Sequence, residues 1–303
     1  MIFSVAGIIS MGMHWAQIGS PVLLGVDFRG GTQVQVKFQH APDINRIRQA
    51  VAAAGIKDST IQPIQNINEA GGNEVLISLP EQQDESVLDQ GRKQIVDALQ
   101  ANYDNPIDPS RTKVDVVGPT VGRQLETKAL LATLYSMLGM LVYLWFRFQL
   151  IYGIAAVVAC FHDTLITVGA FALTNQEISL TVIAAILTLV GYSMNDTIVV
   201  FDRIRENLRM SRREALPDVV NRSINQTLSR TVLTSGLTFL TVLSLYVFGG
   251  QVLRGFSFAL VVGILIGTYS SIAIAAPMLV AWQEWRGKRG KTTALPAAKR
   301  ARV

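Results

Sequence analysis

The sequence predicts a membrane protein of six transmembrane helices with one extracytoplasmic α/β domain between the first helix and the second. Two observations carry that reading. From Thr127 onward the chain holds several apolar runs of roughly 18 to 25 residues, the length that crosses a bilayer core. Between Gly25 and Gln124 it alternates and turns as a soluble domain does. The composition agrees, because 50% of the 303 residues are hydrophobic and only 16% are charged. A soluble domain carries about 25% charge.

Residues 1–20 are the first span, an apolar stretch from Met1 to about Ile18 with His14 and Trp15 near its end. A basic leader and a clear small-residue cleavage site are both missing, so it reads as a membrane helix with its beginning trimmed rather than a signal peptide. Trp15 then belongs to the interfacial aromatic belt.

The α/β domain, residues 25–124, reads strand, helix, strand, strand, helix, strand. Thr32–Phe38 alternates as a half-buried strand. Asp43 caps a helix whose Ile44, Ile47 and Val51 share a face and which Gly55 stops. Ile61–Ile67 is a weak strand, Gly71-Gly72 a turn, and Glu74–Leu79 a strand. Ser86–Ala101 is a helix and Lys113–Val117 the last strand. That order is the ferredoxin-like one.

Five spans follow in residues 127–282: Thr127–Phe146, Leu150–Leu173, Ile178–Phe201, Thr231–Phe248 and Phe256–Trp282. Loop 202–230 is rich in arginine, and so is the tail, residues 283–303; the opposite short loops hold Glu177, Arg254 and little else. The positive-inside rule places the loop and the tail in the cytoplasm and the α/β domain outside. The same rule accounts for the net charge of +5 without nucleic acid as a partner. Within the loop, Ser211-x-x-Glu214 fits a capping box, and Val220, Ile224 and Leu228 share a face that can lie on the membrane. Cys160 is the single cysteine, which excludes an intrachain disulfide and a cysteine metal site.

Ionisable groups inside a bilayer are costly and mark function. The third span carries His162-Asp163, the fourth Asn195-Asp196, and the fifth begins at Arg230. At 1.5 Å per residue, Asp163 lies about 20 Å from Leu150, and Asp196 about 9 Å from Asp202. Acids at staggered depth are what a proton path needs. Thr188, Tyr192 and Asp196 share one face of the fourth span. Other readings stay open: Arg230 as an interfacial anchor, Asn195 as a bond between helices, and Asp163 with His162 as a structural contact. Gly255, Ala259, Gly263, Gly267, Ser271 and Ala275 form an every-fourth stripe that allows close helix packing, against this chain or another. Nucleotide, nucleophile-elbow and zinc motifs are lacking, so no catalytic chemistry, metal or cofactor is expected, and any energy comes from an ion gradient.

These motifs resemble those of the SecF family, protein-export membrane proteins of the SecD/SecF group in the RND superfamily. The resemblance rests on Gly25-Val-Asp-Phe-Arg-Gly-Gly-Thr32, with Gly25, Asp27, Phe28, Gly30 and Gly31 as its motif residues, and on Val117-Gly-Pro-Thr-Val-Gly122. It rests further on His162-Asp163, on the segment from Gly191 to Asn207, and on Gln226–Gly236. It implies half of an RND-like bundle completed by SecD, association with the SecYEG channel and YajC, and an unfolded preprotein as substrate. It also implies a bacterial inner-membrane location and use of the proton-motive force, with protons as the coupling ion. Asp196 and Arg230 become the proton-coupled pair, with Asp163 and Asn195 contributing to the relay. An RND-type small-molecule exporter is the alternative, disfavoured by a single small outer domain. A non-transporting accessory is a third, and it makes Asp196 replaceable.

Overall fold

The computed structural model describes residues 2–54, 59–64, 73–79, 88–107, 112–148, 150–211 and 214–288. Ile2–Ile18, a run without Asp, Glu, Lys or Arg, forms helix α1. The motif that follows folds as one helical turn, α2 (Val26–Arg29), which the sequence pattern did not predict. Gly30 and Gly31 then take φ of 76° and 125°, a conformation open to glycine and strained for other residues. They turn the chain directly into strand β1 (Gly31–Lys37).

Alternation buries Val34 and Val36 of β1 on one face. After α3 (Ile44–Ala53) come β2 (Thr60–Ile64), β3 (Glu74–Leu79), α4 (Leu88–Asn102) and β4 (Lys113–Val117). The sheet order is β2-β3-β1-β4, and every neighbouring pair is antiparallel. Ile47 and Val51 of α3 and Ile95 and Leu99 of α4 close the core over Val34, Val36, Val75 and Ile77. Asp43 caps α3, its Oδ1 accepting from the Asn45 and Arg46 amides at 2.9 and 3.4 Å. The end of the strand expected at Ile61–Ile67, the turn at Gly71-Gly72, the stop at Gly55 and the first residues of the Ser86–Ala101 helix lie outside the described residues, as does the tail beyond Lys288.

Beyond the sheet come α5 (Pro119–Arg147), α6 (Leu150–Thr174), α7 (Leu180–Met210), α8 (Leu216–Phe248) and α9 (Gly250–Ser270). A wide π turn, Ser271–Ala275, joins α9 to α10 (Ala276–Lys288). Among the described residues, five helical segments are long and apolar enough to cross a membrane: Thr120–Arg147, Leu150–Thr174, Leu180–Met210, Leu216–Phe248 and Leu253–Trp285. Helix α1, with 17 residues, is shorter than these and lies against α6. Gly7 and Gly169 touch there, and a Cβ on Gly7 would stand 3.1 Å from the Gly169 Cα.

Two expectations are corrected. The segment 202–230, expected as a connecting loop helical in part, is helical up to Met210 and again from Leu216. Its arginines alternate with Ile204, Leu216, Val219 and Val220, which stay buried, so the amphipathic pattern carries both helices past the apolar runs. Val220 and Ile224 accordingly join the bundle core instead of lying on a membrane surface. The capping box is not formed either, because α8 is capped by Ala215 with no side-chain bond. Arg222 claims both candidate residues, with Nη2 donating to Ser211 Oγ at 2.8 Å and Nη1 at 2.7 Å from a Glu214 oxygen.

The small-residue stripe lies against α7 of this same chain. A Cβ on Gly255 would stand 3.0 Å from Val182 Cγ2, one on Gly267 3.1 Å from Ser193 Cβ, and one on Gly263 2.4 Å from Leu189 Cδ2. Ala259, Ser271 and Ala275 are buried with no exposure. Leu265, on the other side of α9, is exposed. Gly263→Leu should therefore push α9 off α7 and destabilise the bundle by about 1–3 kcal/mol. Leu265→Ala should leave it nearly unchanged. Thermal unfolding of the purified variants in detergent measures this, and equal unfolding temperatures for the two contradict the packing account.

Candidate functional site

Asp163 sits on α6 with no exposed surface. Its Oδ2 accepts from the Ser193 hydroxyl of α7 and from the Ser270 hydroxyl of α9, both at 2.6 Å. His162 Nδ1 lies 3.1 Å from Oδ1. A buried carboxylate is tolerated when donors surround it, and here the donors come from separate helices. The carboxylate thus ties α6, α7 and α9 at one level. The π turn begins directly after Ser270, a local widening of the kind found at functional positions.

Asp196 is buried three residues further along α7, about 4.5 Å along the axis from Ser193. It faces a different helix, and its Oδ2 accepts from Ser235 of α8 at 2.7 Å. The two acids are therefore close in height but separately held. Arg230 begins the same stretch of α8 and is exposed. Among the described residues no ion pair joins it to Asp196. Among the described residues the Tyr192 hydroxyl, one turn before Asp196 on α7, is buried without a partner, and so is the Thr231 hydroxyl, one turn before Ser235 on α8. These helices run antiparallel, so the two unpartnered hydroxyls flank Asp196, one toward each end of the bundle. Thr188 is exposed, so the shared face of α7 turns outward at its first member. Asn195 is exposed too and is not brought to the acids.

Sequence reasoning missed Ser193, Ser235 and Ser270. Serine is common in membrane helices and usually back-bonds its own turn, so nothing in the pattern singled out three that reach across. Among the described residues no group of three or more His, Cys, Asp or Glu side chains is gathered for a metal.

The motif residues lie at the other end of α7. Gly25 donates its amide to the Ile178 carbonyl at 2.9 Å, and the Ile178 amide donates to Leu23 at 2.8 Å. Asp27 Oδ2 accepts from the Leu180 amide, the first residue of α7, at 2.8 Å. Phe28 is buried in the bundle core with Val22, Phe171, Ile178 and Val182. Gly122 of α5 backs onto this turn, where a Cβ would stand 2.6 Å from the Phe28 carbonyl oxygen and 3.0 Å from the Gly30 nitrogen. Glu177 is half-buried beside Arg29 and Asp27, and burial pushes its carboxyl up to about 7 against the pull of Arg29.

Fold and site together define a multi-pass helical membrane protein with an α/β domain between its helices and two carboxylates inside its bundle. The family described as protein export membrane protein SecD/SecF, C-terminal, matches residues 95–285, and the SecD/SecF GG motif matches residues 20–42. A protein translocase subunit SecF from Koribacter versatilis is 53% identical over 98% of this chain and 91% of its own length. Another from Desulfurispirillum indicum is 46% identical over 86% and 82%. The crystal structure of SecDF, a translocon-associated membrane protein from Thermus thermophilus, superposes with a TM-score of 0.79 at 35% identity. It covers 93% of this chain, which spans 37% of that longer one. The chain belongs to the SecD/SecF family of protein-export membrane proteins, on its SecF side, and its work is protein translocation.

Glu177 gives the junction a pH dependence with a definite sign. Its folded carboxyl titrates at about 7 against an ordinary value of 4.5, so the folded state holds a proton that the unfolded state releases. Stability is full below about 4.5 and falls as pH rises through 7, by up to about 3 kcal/mol. Glu177→Gln should flatten that part of the profile. Unfolding midpoints of both forms between pH 4.5 and 8 measure it, and an unchanged slope in the variant contradicts the assignment.

Proposed function

We propose that this chain pairs with SecD to form a proton-driven motor that helps draw preproteins across the bacterial inner membrane, working beside SecYEG and YajC. The observation that carries the reading is Asp196, buried between α7 and α8 on a single Ser235 hydroxyl. Buried hydroxyls without protein partners stand above and below it, at Tyr192 and Thr231. Such hydroxyls are where a file of water finds partners, and water on both sides lets a carboxylate take a proton from one end and release it to the other. Arg230 lies on the Thr231 side as the counter-charge. Protonation neutralises Asp196 and removes its longer-range attraction for the Arg, which favours another arrangement of α7 and α8. One charge crossing 100 mV supplies about 2.3 kcal/mol, so a few protons suffice for a domain motion.

Further features support the finer reading. Helix α1 against α6 supplies the sixth span beside the five longer ones. The β2-β3-β1-β4 order with two helices on one face supports a ferredoxin-like outer domain. Asn195 is exposed, and Gly191 and Gly236 have nothing within 4 Å of a Cβ. A polar side chain and small positions on bare membrane helices fit a second bundle, which SecD provides.

Asp196→Asn fixes the neutral state. It should assemble with SecD and lose proton-driven export from reconstituted vesicles by at least tenfold, whereas Asp196→Glu keeps part of it and Arg230→Lys shows a partial loss. Normal export by a correctly inserted Asp196→Asn chain sinks the mechanism. Orientation is checked with single cysteines at Asn73 or Ser211 in a Cys160→Ala background. An impermeant thiol reagent should label Asn73→Cys in intact spheroplasts and spare Ser211→Cys; the reverse pattern overturns the topology.

A further inference from the structure

We infer that Asp27 is a positioning residue that couples helix α7 to the α/β domain; this rests on the proton-driven reading of Asp196. Helix α7 lacks a cap of its own. Its N-cap residue, Ser179, caps no backbone amide of the helix, because its hydroxyl is paired with Thr181 Oγ1 at 2.8 Å. The cap comes instead from a residue 153 positions away, as the Asp27 carboxylate accepts the Leu180 amide at 2.8 Å. A carboxylate on an N-terminal amide bonds with an ionised acceptor and meets the positive end of the helix dipole. The backbone bridge of Leu23 and Gly25 with Ile178 lies alongside and limits sliding between the two segments.

What Asp27 is attached to gives the contact its direction. Gly30 and Gly31 follow it within four residues and lead into β1, which pairs with both β3 and β4. On its other flank, α2 is seated on Gly122 of α5, and α5 is the helix into which β4 runs. A tilt or shift of α7 therefore reaches the sheet through Asp27, α2 and β1, while α5 acts as the fixed side. Asp196 lies 16 residues further along the same helix, about 24 Å away at 1.5 Å per residue. An unbroken α7 spans both points. The end that changes charge and the end that holds the domain are two ends of one rigid rod.

The experiment uses the whole chain in complex with SecD in lipid nanodiscs, in a Cys160→Ala background. Spin labels go on Arg48→Cys of α3 and Leu173→Cys of α6, both exposed. Distance distributions are compared with Asp196 intact and with Asp196→Asn. The expected result is a shifted distance on Asp196→Asn, abolished by Asp27→Ala and restored by Asp27→Asn, whose side-chain carbonyl still accepts the Leu180 amide. Ser179→Asp added to Asp27→Ala caps α7 from within and separates helix stability from coupling. That double variant should recover the yield of the complex and leave the shift abolished. A shift that persists in Asp27→Ala, or that Ser179→Asp restores, overturns the coupling role and leaves the proton reading standing. No shift on Asp196→Asn with Asp27 intact overturns the proton-driven domain motion and the coupling with it.

Discussion

A carboxylate placed among hydrocarbon side chains must find its donors inside the protein, and the arrangement of this bundle follows from that constraint. Asp163 is met by hydroxyls of α7 and α9, which fixes α6, α7 and α9 at a common level. The glycine stripe brings α9 close enough to α7 for the Ser270 and Ser193 hydroxyls to reach one oxygen. Packing and polar satisfaction are therefore one requirement: with larger residues at Gly263 and Gly267, the carboxylate would lose a donor it cannot replace from lipid.

Asp196 is held more lightly. Among the described residues one serine reaches it, Arg230 is not in an ion pair with it, and hydroxyls nearby lack partners. The two acids are thus held differently. A carboxylate with two hydroxyls and a histidine around it is suited to holding helices in register. One with a single hydroxyl and polar groups above and below is suited to changing its charge. The same helix carries the donor to the first acid and the second acid itself, so in the proposed mechanism a rearrangement at Asp196 works against the anchor at Asp163.

The far end of α7 carries the α/β domain. Helix capping is usually local, within a few residues of the helix start. Here it is distant, and the cost of bringing Asp27 to Leu180 is met by burying Phe28 and seating α2 on Gly122. Burial raises the Glu177 carboxyl in the same corner, so losing its proton costs the folded state.

Much was legible in the sequence, because hydrophobic length and periodicity act locally. The apolar runs gave the five long helices, and alternation with turn residues gave β1, β3 and β4 to within a residue or two. The membrane acids were legible because a charge in an apolar run is costly to bury. Helix ends were less so: α7 and α8 run through the arginine-rich segment because their apolar faces are buried against one another, a tertiary gain that charge counting does not register. The partners of the acids were not legible at all. Ser193, Ser235 and Ser270 look like any membrane serines until three helices cross, and Asp27 looks like a loop residue until its carboxylate meets an amide 153 positions away. The sequence by itself determined which segments enter the membrane and which residues are too costly to be incidental there. Only the tertiary structure decided which donors answer them, since a hydrogen bond between helices depends on their crossing and rotation, and these are set by packing among distant segments.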